Sequence, residues 1–249
     1  MTDHAPKSGR GTAADALRAS TAVSPVHDIQ TLALRYHQQS AEMAALQRQI
    51  FALARLRLEQ AIADHPAGAD LAIITDIDET VVDNSDLLVR DLQLRHSYMH
   101  WDTWKHWERE GRPRLIPGAR EFLEFADGRG IAIFYVSDRF DENKAQTVAM
   151  LERLRLPQAG QDSVLLLGPT KQERRALVQG RYTVVLQLGD SLHDFSADFV
   201  SSVPLDQQHE RVAEQAERFG RDWILLPNAL YGTWHAADLR AWEAPIQTE

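Results

Sequence analysis

Five short apolar runs, each stopping at a reactive or turn-forming residue, restrict this 249-residue chain more than any other feature. Leu71-Ala72-Ile73-Ile74-Thr75 runs into Asp76. Ile131 to Val136 runs into Ser137-Asp138-Arg139. Ser163 to Leu167 runs into Gly168-Pro169-Thr170-Lys171. Thr183 to Leu188 runs into Gly189-Asp190, and Trp223 to Leu226 into Pro227-Asn228. Continuous apolar runs of this length suit strands buried on both faces. Helical segments are expected between them, at Gly118 to Ala126, Glu142 to Leu154 and Lys171 to Gln179. Strand and helix in repetition predict an α/β fold, a doubly wound parallel sheet. Open parallel sheets bind ligands beyond the C-terminal ends of their strands. The first four runs carry their acids, hydroxyl and lysine there.

The flanks add detail. Apolar residues from Leu32 to Ile62 recur at three- and four-residue steps, which predicts one unbroken helix over about Ile29 to Ala63, within an N-terminal helical segment at 28–64. The segment His65-Pro66-Ala67-Gly68 ends it. Residues 1 to 25 have no periodicity and read as a tail, leaving 26–249 as a single domain. The gap between the first two runs exceeds what one crossover helix needs, so a helical, cap-like insertion is expected over the site at 84–117.

Composition excludes several classes. The net charge is -9 and no basic run appears, which argues against a nucleic-acid polymer as partner. No cysteine exists to form a disulfide, a thiolate zinc site or a cysteine nucleophile. No run approaches the roughly 20 apolar residues of a membrane span. The first residues lack the apolar stretch of a signal peptide, so a cytoplasmic location is the expectation. A homodimer is left open.

The chemistry centres on Asp76-Ile77-Asp78-Glu79-Thr80. Two carboxylates two residues apart follow a buried strand. Asp76 can attack an anionic ester only where a cation screens the charge. Mg²⁺ suits this, because it takes oxygen ligands and needs only one or two carboxylates. Asp76 and Asp190 are candidates for them. Asp78 is then free to give a proton to the leaving alcohol and take one from water. The intermediate would be an aspartyl phosphate. Lys171 and the Ser137 hydroxyl would hold the phosphoryl oxygens.

These motifs resemble the haloacid-dehalogenase superfamily of phosphatases. Within it, the chain is similar to the bacterial class C acid phosphatases and the lipoprotein 5'-nucleotidases. The segments that carry the likeness include Asp76 to Ser85, Trp104 with Ile116 to Ala119, Phe134 to Arg139, Lys171 to Arg175, Leu188 to Phe195, and Leu226 to Trp234. The resemblance implies a Rossmann-like core and a phosphomonoesterase. It makes Asp76 the nucleophile and a metal ligand, and Asp78 the acid and base, with its backbone carbonyl on the metal. Asp190 becomes the third protein ligand, and Asp194 a support for Lys171 or the metal's water. Asp138 and Ser191 depart from the family pattern, which usually has Asn at both positions.

Four residues are candidates for substrate contact: Thr80, Arg139, Trp104 and Tyr231. Thr80 can equally organise its loop, and Arg139 can face phosphate or a neighbouring acid. Trp101, Trp104 and Trp107 fall at i, i+3 and i+6, which predicts one helix face that packs on the core or stacks on a base. Trp101 and Trp107 read as packing. Tyr231 is placed to clamp an aromatic group. Arg174 and Arg175 read as surface pairs or supports of the site, and His193 as a hydrogen-bonding residue between motif acids. His96, His100 and His106 do not have the spacing of a recognised metal site. The reading is a Mg²⁺-dependent acid phosphatase acting on a small phosphomonoester, such as a nucleoside 5'-monophosphate. A phosphotransferase using the same intermediate and a non-catalytic binding protein of the same fold are the alternatives.

Overall fold

The computed structural model describes residues 25–96 and 101–240. The expected tail up to residue 24, His100, and the end of the chain from 241 lie outside them. The chain enters through α1 (Pro25–Gln39) and α2 (Ala41–Asp64), then β1 (Leu71–Thr75) and β2 (Val82–Asp83). Helices α3 (Ser85–Gln93) and α4 (Trp104–Glu110) precede β3 (Arg114–Leu115). The alternation then runs α5 (Ala119–Gly128), β4 (Ala132–Phe140), α6 (Lys144–Arg153), β5 (Val164–Leu167), α7 (Lys171–Gln179) and β6 (Thr183–Gly189). It closes with α8 (Leu205–Glu214) and β7 (Trp223–Leu225).

Among the described residues five strands form one sheet in the order β5-β4-β1-β6-β7, and its pairings are parallel. The chain builds outward from β1 to β4 and β5, then crosses back to β6 and β7. The reversal lies between β1 and β6, where an open α/β sheet leaves its ligand crevice. Asp76 follows β1 and Asp190 follows β6, so the two acids flank that crevice.

Both faces are covered, as the apolar runs predict. Leu71 and Ile73 of β1 join the large core with Phe51, Ala54 and Leu58 of α2 and with Phe122, Leu123 and Ala126 of α5. Ala72 and Ile74 point to the opposite face, where Val178 of α7 packs. Period-two alternation in a strand sends neighbours to opposite faces, and here both sides are apolar.

The predicted single N-terminal helix is two helices. Ser40 has extended dihedrals, and its hydroxyl accepts from the Met43 N–H at 3.0 Å, capping α2. A serine that caps a helix offers the backbone a local partner, and apolar periodicity does not register it. The break lets α1 swing onto α3, where Leu34 packs with Leu87, Leu88, Trp104 and Leu230. His37 lies 3.5 Å from Asp83 there, and Gln38 donates to Ser85. The segment between β2 and β3 carries α3 and α4, and the two short strands pair antiparallel at its base. Among the described residues no helix is long and apolar enough to cross a membrane.

Candidate active site

The loop after β1 sets the geometry. The Asp76 N–H donates to the Leu188 carbonyl at 2.9 Å, which ties the loop to β6. The N–H groups of Val81 and Val82 both donate to the Ile77 carbonyl, so the chain folds back at once. Glu79 makes the turn possible by taking φ +53. That left-handed conformation costs a non-glycine residue about 1–2 kcal/mol. It also turns the Glu79 side chain into the interior while Asp76 and Asp78 border the open cavity.

Asp76 is buried, and its Oδ1 accepts from Lys171 Nζ at 2.9 Å. Lys171 is the first residue of α7. Thr170 caps that helix through a reciprocal pair with Glu173, which fixes where the lysine leaves the backbone. Lys171 Nζ also reaches Asp194 Oδ1. Asp194 in turn accepts from the Ser191 N–H at 2.9 Å. Gly189 makes room for this pair, because a Cβ at Gly189 would overlap the Asp194 side chain. Gly189→Ala should therefore push Asp194 off Lys171 and cut kcat by roughly tenfold or more, with a fall in Tm that thermal melting would register.

Asp190 is held by two donors. Thr80 donates to Oδ1 at 3.3 Å and Asn228 Nδ2 donates to Oδ2 at 2.8 Å. Oxygens of Asp76, Asp190 and Asp194 all lie within 4.8 Å of one another. An all-oxygen set of carboxylates fits a hard divalent cation such as Mg²⁺ or Ca²⁺. The charge balance points the same way. Burial pushes Asp76 well above the usual carboxylate range; Lys171 pulls it down, while Asp194, Asp190 and Asp78 push it further up. Burial, then Asp194, pushes Asp190 up to about 6, against the Asn228 hydrogen bond and Lys171. Burial works against the Lys171 ammonium, but Asp194, Asp76 and Asp138 outweigh it and hold its pKa above the ordinary range. One ammonium is too little for these carboxylates, and a divalent cation would remove the excess.

Asp78 is surrounded by donors. Arg139 Nε lies 3.0 Å from Oδ2 and Nη2 lies 2.7 Å from Oδ1. Ser137 Oγ reaches Oδ2 at 3.2 Å, and Asn84 Nδ2 reaches Oδ1 at 2.8 Å. Arg139 thus pairs with the neighbouring acid, and it also borders the open cavity. Thr80 is fully buried, does not line the open cavity and engages Asp190. Its place here is in organising the loop.

Arg174 and Arg175 are buried and not surface pairs. Arg174 donates to the Ser137 carbonyl and to Asp138. Arg175 donates to the carbonyls of His193 and Asp194, both at 2.9 Å. These contacts brace the ends of β4 and β6 against α7. The two positions that depart from the family pattern meet through His193: Nδ1 is 2.8 Å from Ser191 Oγ, and Nε2 is 3.2 Å from Asp138 Oδ2. Burial favours neutral Asp138, but the His193 hydrogen bond, Lys171 and Arg174 outweigh it and hold the carboxyl well below its ordinary value.

Asp76, Asp78, Ser137, Lys171, Asp190 and Asp194 line an open cavity of about 1690 Å³ that also takes in apolar surface from α2 and α8. Its wall beside Asp78 is aromatic. Trp101 and Trp104 meet Tyr231 edge-on, with centroids 5.0 and 5.8 Å apart. Trp101 lies outside α4 at φ +61, so the three tryptophans do not share one helix face. Both Trp101 and Trp104 line the cavity, the first 40% exposed and the second buried. Trp101 packs on Trp104 at 5.4 Å and on Tyr231, and by leaving the helix it also borders the open space. Trp107 donates from Nε1 to Asn84 Oδ1 at 2.8 Å. The sequence reading passed over Asn84, Glu79 and Asn228 as site residues. Asn228 carries a signal, an amide inside the apolar segment Leu225 to Leu230, whereas Glu79 and Asn84 stand among other polar residues between Asp76 and Ser85 and carry none.

Comparison with known proteins agrees with this geometry. The sequence profile of the HAD superfamily, subfamily IIIB (acid phosphatase), matches residues 11–234. A solved class C acid phosphatase from Bacillus anthracis is 31% identical, with a TM-score of 0.79 over 85% of this chain and 89% of its own. A second structure of that enzyme, with tungstate bound, gives the same identity, coverage and score. The profile spans the sheet and the acids at its crevice, the solved structures share the fold at 31% identity, and on that ground the chain belongs to the HAD superfamily, subfamily IIIB, and is an acid phosphatase, a phosphomonoesterase.

Proposed function

We propose that the enzyme hydrolyses small phosphomonoesters, nucleoside 5'-monophosphates among them, with Mg²⁺ as cofactor and a phosphorylated Asp76 as intermediate. The observation that carries this reading is the meeting of Asp76, Asp190 and Asp194 around Lys171 at the mouth of the sheet. Asp76, the Asp78 backbone carbonyl and Asp190 would hold Mg²⁺, which screens the charge of an anionic ester when bound. The Asp76 carboxylate attacks phosphorus, forming an O–P bond as the ester P–O bond breaks. Asp78 gives its proton to the departing alkoxide. It then takes a proton from the water that attacks the aspartyl phosphate, which releases phosphate and restores Asp76. An ammonium has three N–H donors. Lys171 gives two to Asp76 and Asp194, leaving one for a phosphoryl oxygen. The Ser137 hydroxyl, which faces Asp78 Oδ2 at 3.2 Å, would turn to supply another. Tungstate, bound by the Bacillus anthracis relative, is an oxyanion like phosphate. The half-exposed face of Trp101 and the ring of Tyr231 suit a flat leaving group such as a nucleoside.

Asp78→Asn tests the proton donor. The variant should lose about a hundredfold or more in kcat on an alkyl phosphate, and much less on nitrophenyl phosphate, whose leaving group needs no proton. Equal losses on both esters would remove Asp78 from this role.

A further inference from the structure

We infer that Glu79 and Asn84 are positioning residues: they form a buried strut that joins the aromatic wall at Tyr231 to the Asp78 carboxylate. The wall that receives the leaving group thereby sets the group that protonates it. The inference rests on the phosphatase mechanism proposed above, with Asp78 as the acid.

The strut is a chain of hydrogen bonds. The Tyr231 hydroxyl donates to Glu79 Oε2. Glu79 Oε1 accepts from the Asn84 N–H at 2.9 Å and from its Nδ2 at 3.3 Å. Asn84 Nδ2 also donates to Asp78 Oδ1 at 2.8 Å. The amide cannot turn over, because its Oδ1 accepts from Trp107 Nε1 at 2.8 Å and an amide oxygen cannot donate. Glu79 and Asn84 are both fully buried, and neither lines the cavity. They therefore act through Asp78 and Tyr231 and not on substrate. Glu79 holds a sparsely populated backbone conformation, of the kind that persists where the surroundings determine it. Tyr231 meets Trp101 and Trp104 at its ring, so a group that docks on the wall presses on one end of the strut. Asp78 sits at the other end.

Tyr231→Phe is the decisive variant, since it keeps the ring and removes only the hydroxyl. With Mg²⁺ present, the ratio of kcat on an alkyl phosphate to kcat on nitrophenyl phosphate should fall about tenfold. Asn84→Ala should show a larger loss with the same dependence on leaving group. The double variant should be no worse than Asn84→Ala alone, because both changes cut one chain. If Asn84→Ala fails to fold, Tyr231→Phe decides by itself. A Tyr231→Phe enzyme equal to wild type on both esters, or impaired equally on both, overturns the coupling and leaves the phosphatase mechanism standing. A wild-type enzyme that cleaves both esters without any contribution from Asp78, shown by an undiminished Asp78→Asn variant, overturns the mechanism and the coupling together.

Discussion

Asp76→Asn is expected to lower turnover by roughly a thousandfold or more while the protein stays folded. An amide is a poor nucleophile, yet its oxygen can still accept the Lys171 hydrogen bond, so the pocket should keep its shape. The substitution also removes a buried carboxylate whose ionisation burial opposes. The metal-free variant should thus melt no lower than the wild type near neutral pH. The checks are kcat on nitrophenyl phosphate and a thermal melt followed by circular dichroism. A rate above a few per cent of wild type would contradict the assignment of Asp76.

The second large effect is metal removal. Excess EDTA should bring activity to background, and Mg²⁺ should restore it. Stability should respond in a direction set by the acids. Asp190 is pushed up to about 6 in the folded chain from an ordinary value of 3.8. The folded state therefore binds this proton more tightly than the unfolded chain does. Its contribution to stability is fully present below about pH 3.8 and is lost as the pH rises through about 6. Asp76 and Glu79, both raised with burial as the main cause, act in the same sense. Asp83 and Asp138 act oppositely. Burial raises both, but the His37 ring beside Asp83 with a hydrogen bond from the Ser85 N–H, and hydrogen bonds from His193 and Arg174 to Asp138 with Lys171 beside it, hold them well below the usual range. Their contribution is present above about pH 3.8 and disappears only in stronger acid. Metal-free protein should accordingly melt highest near pH 4 to 5 and at a lower temperature by pH 7, as Asp190 loses its proton. Mg²⁺ at pH 7 should reverse that loss, because it binds the ionised carboxylates. A melting temperature indifferent to Mg²⁺ at pH 7 would argue against a cation between these acids.

The parts of this picture legible in the sequence are those that local pattern specifies. Runs such as Leu71 to Thr75 announce strands buried on both faces, and the acids at their ends sit at the crevice because parallel strands all end on one side. What depends on a single dihedral or a distant partner was not legible. Ser40 ends one helix and starts another without disturbing the apolar spacing. Trp101 looks like a residue of α4 by spacing, yet its positive φ takes it out of the helix and into the cavity. Arg174 and Arg175 resemble surface residues in composition, but the carbonyls they serve belong to β4, β5 and the turn after β6. Glu79 and Asn84 stand among motif residues, and only the left-handed turn at Glu79 brings them between Asp78 and Tyr231.

A rapid-quench reaction with a fast-leaving ester tests the covalent step most directly. Borohydride reduction of the quenched protein converts an aspartyl phosphate to homoserine, and peptide mass spectrometry locates it. Homoserine at position 76, formed within one turnover and absent in Asp76→Asn, is the expected result. Phosphate released at the full rate with no modification at that position, or with modification on another acid, would contradict the account.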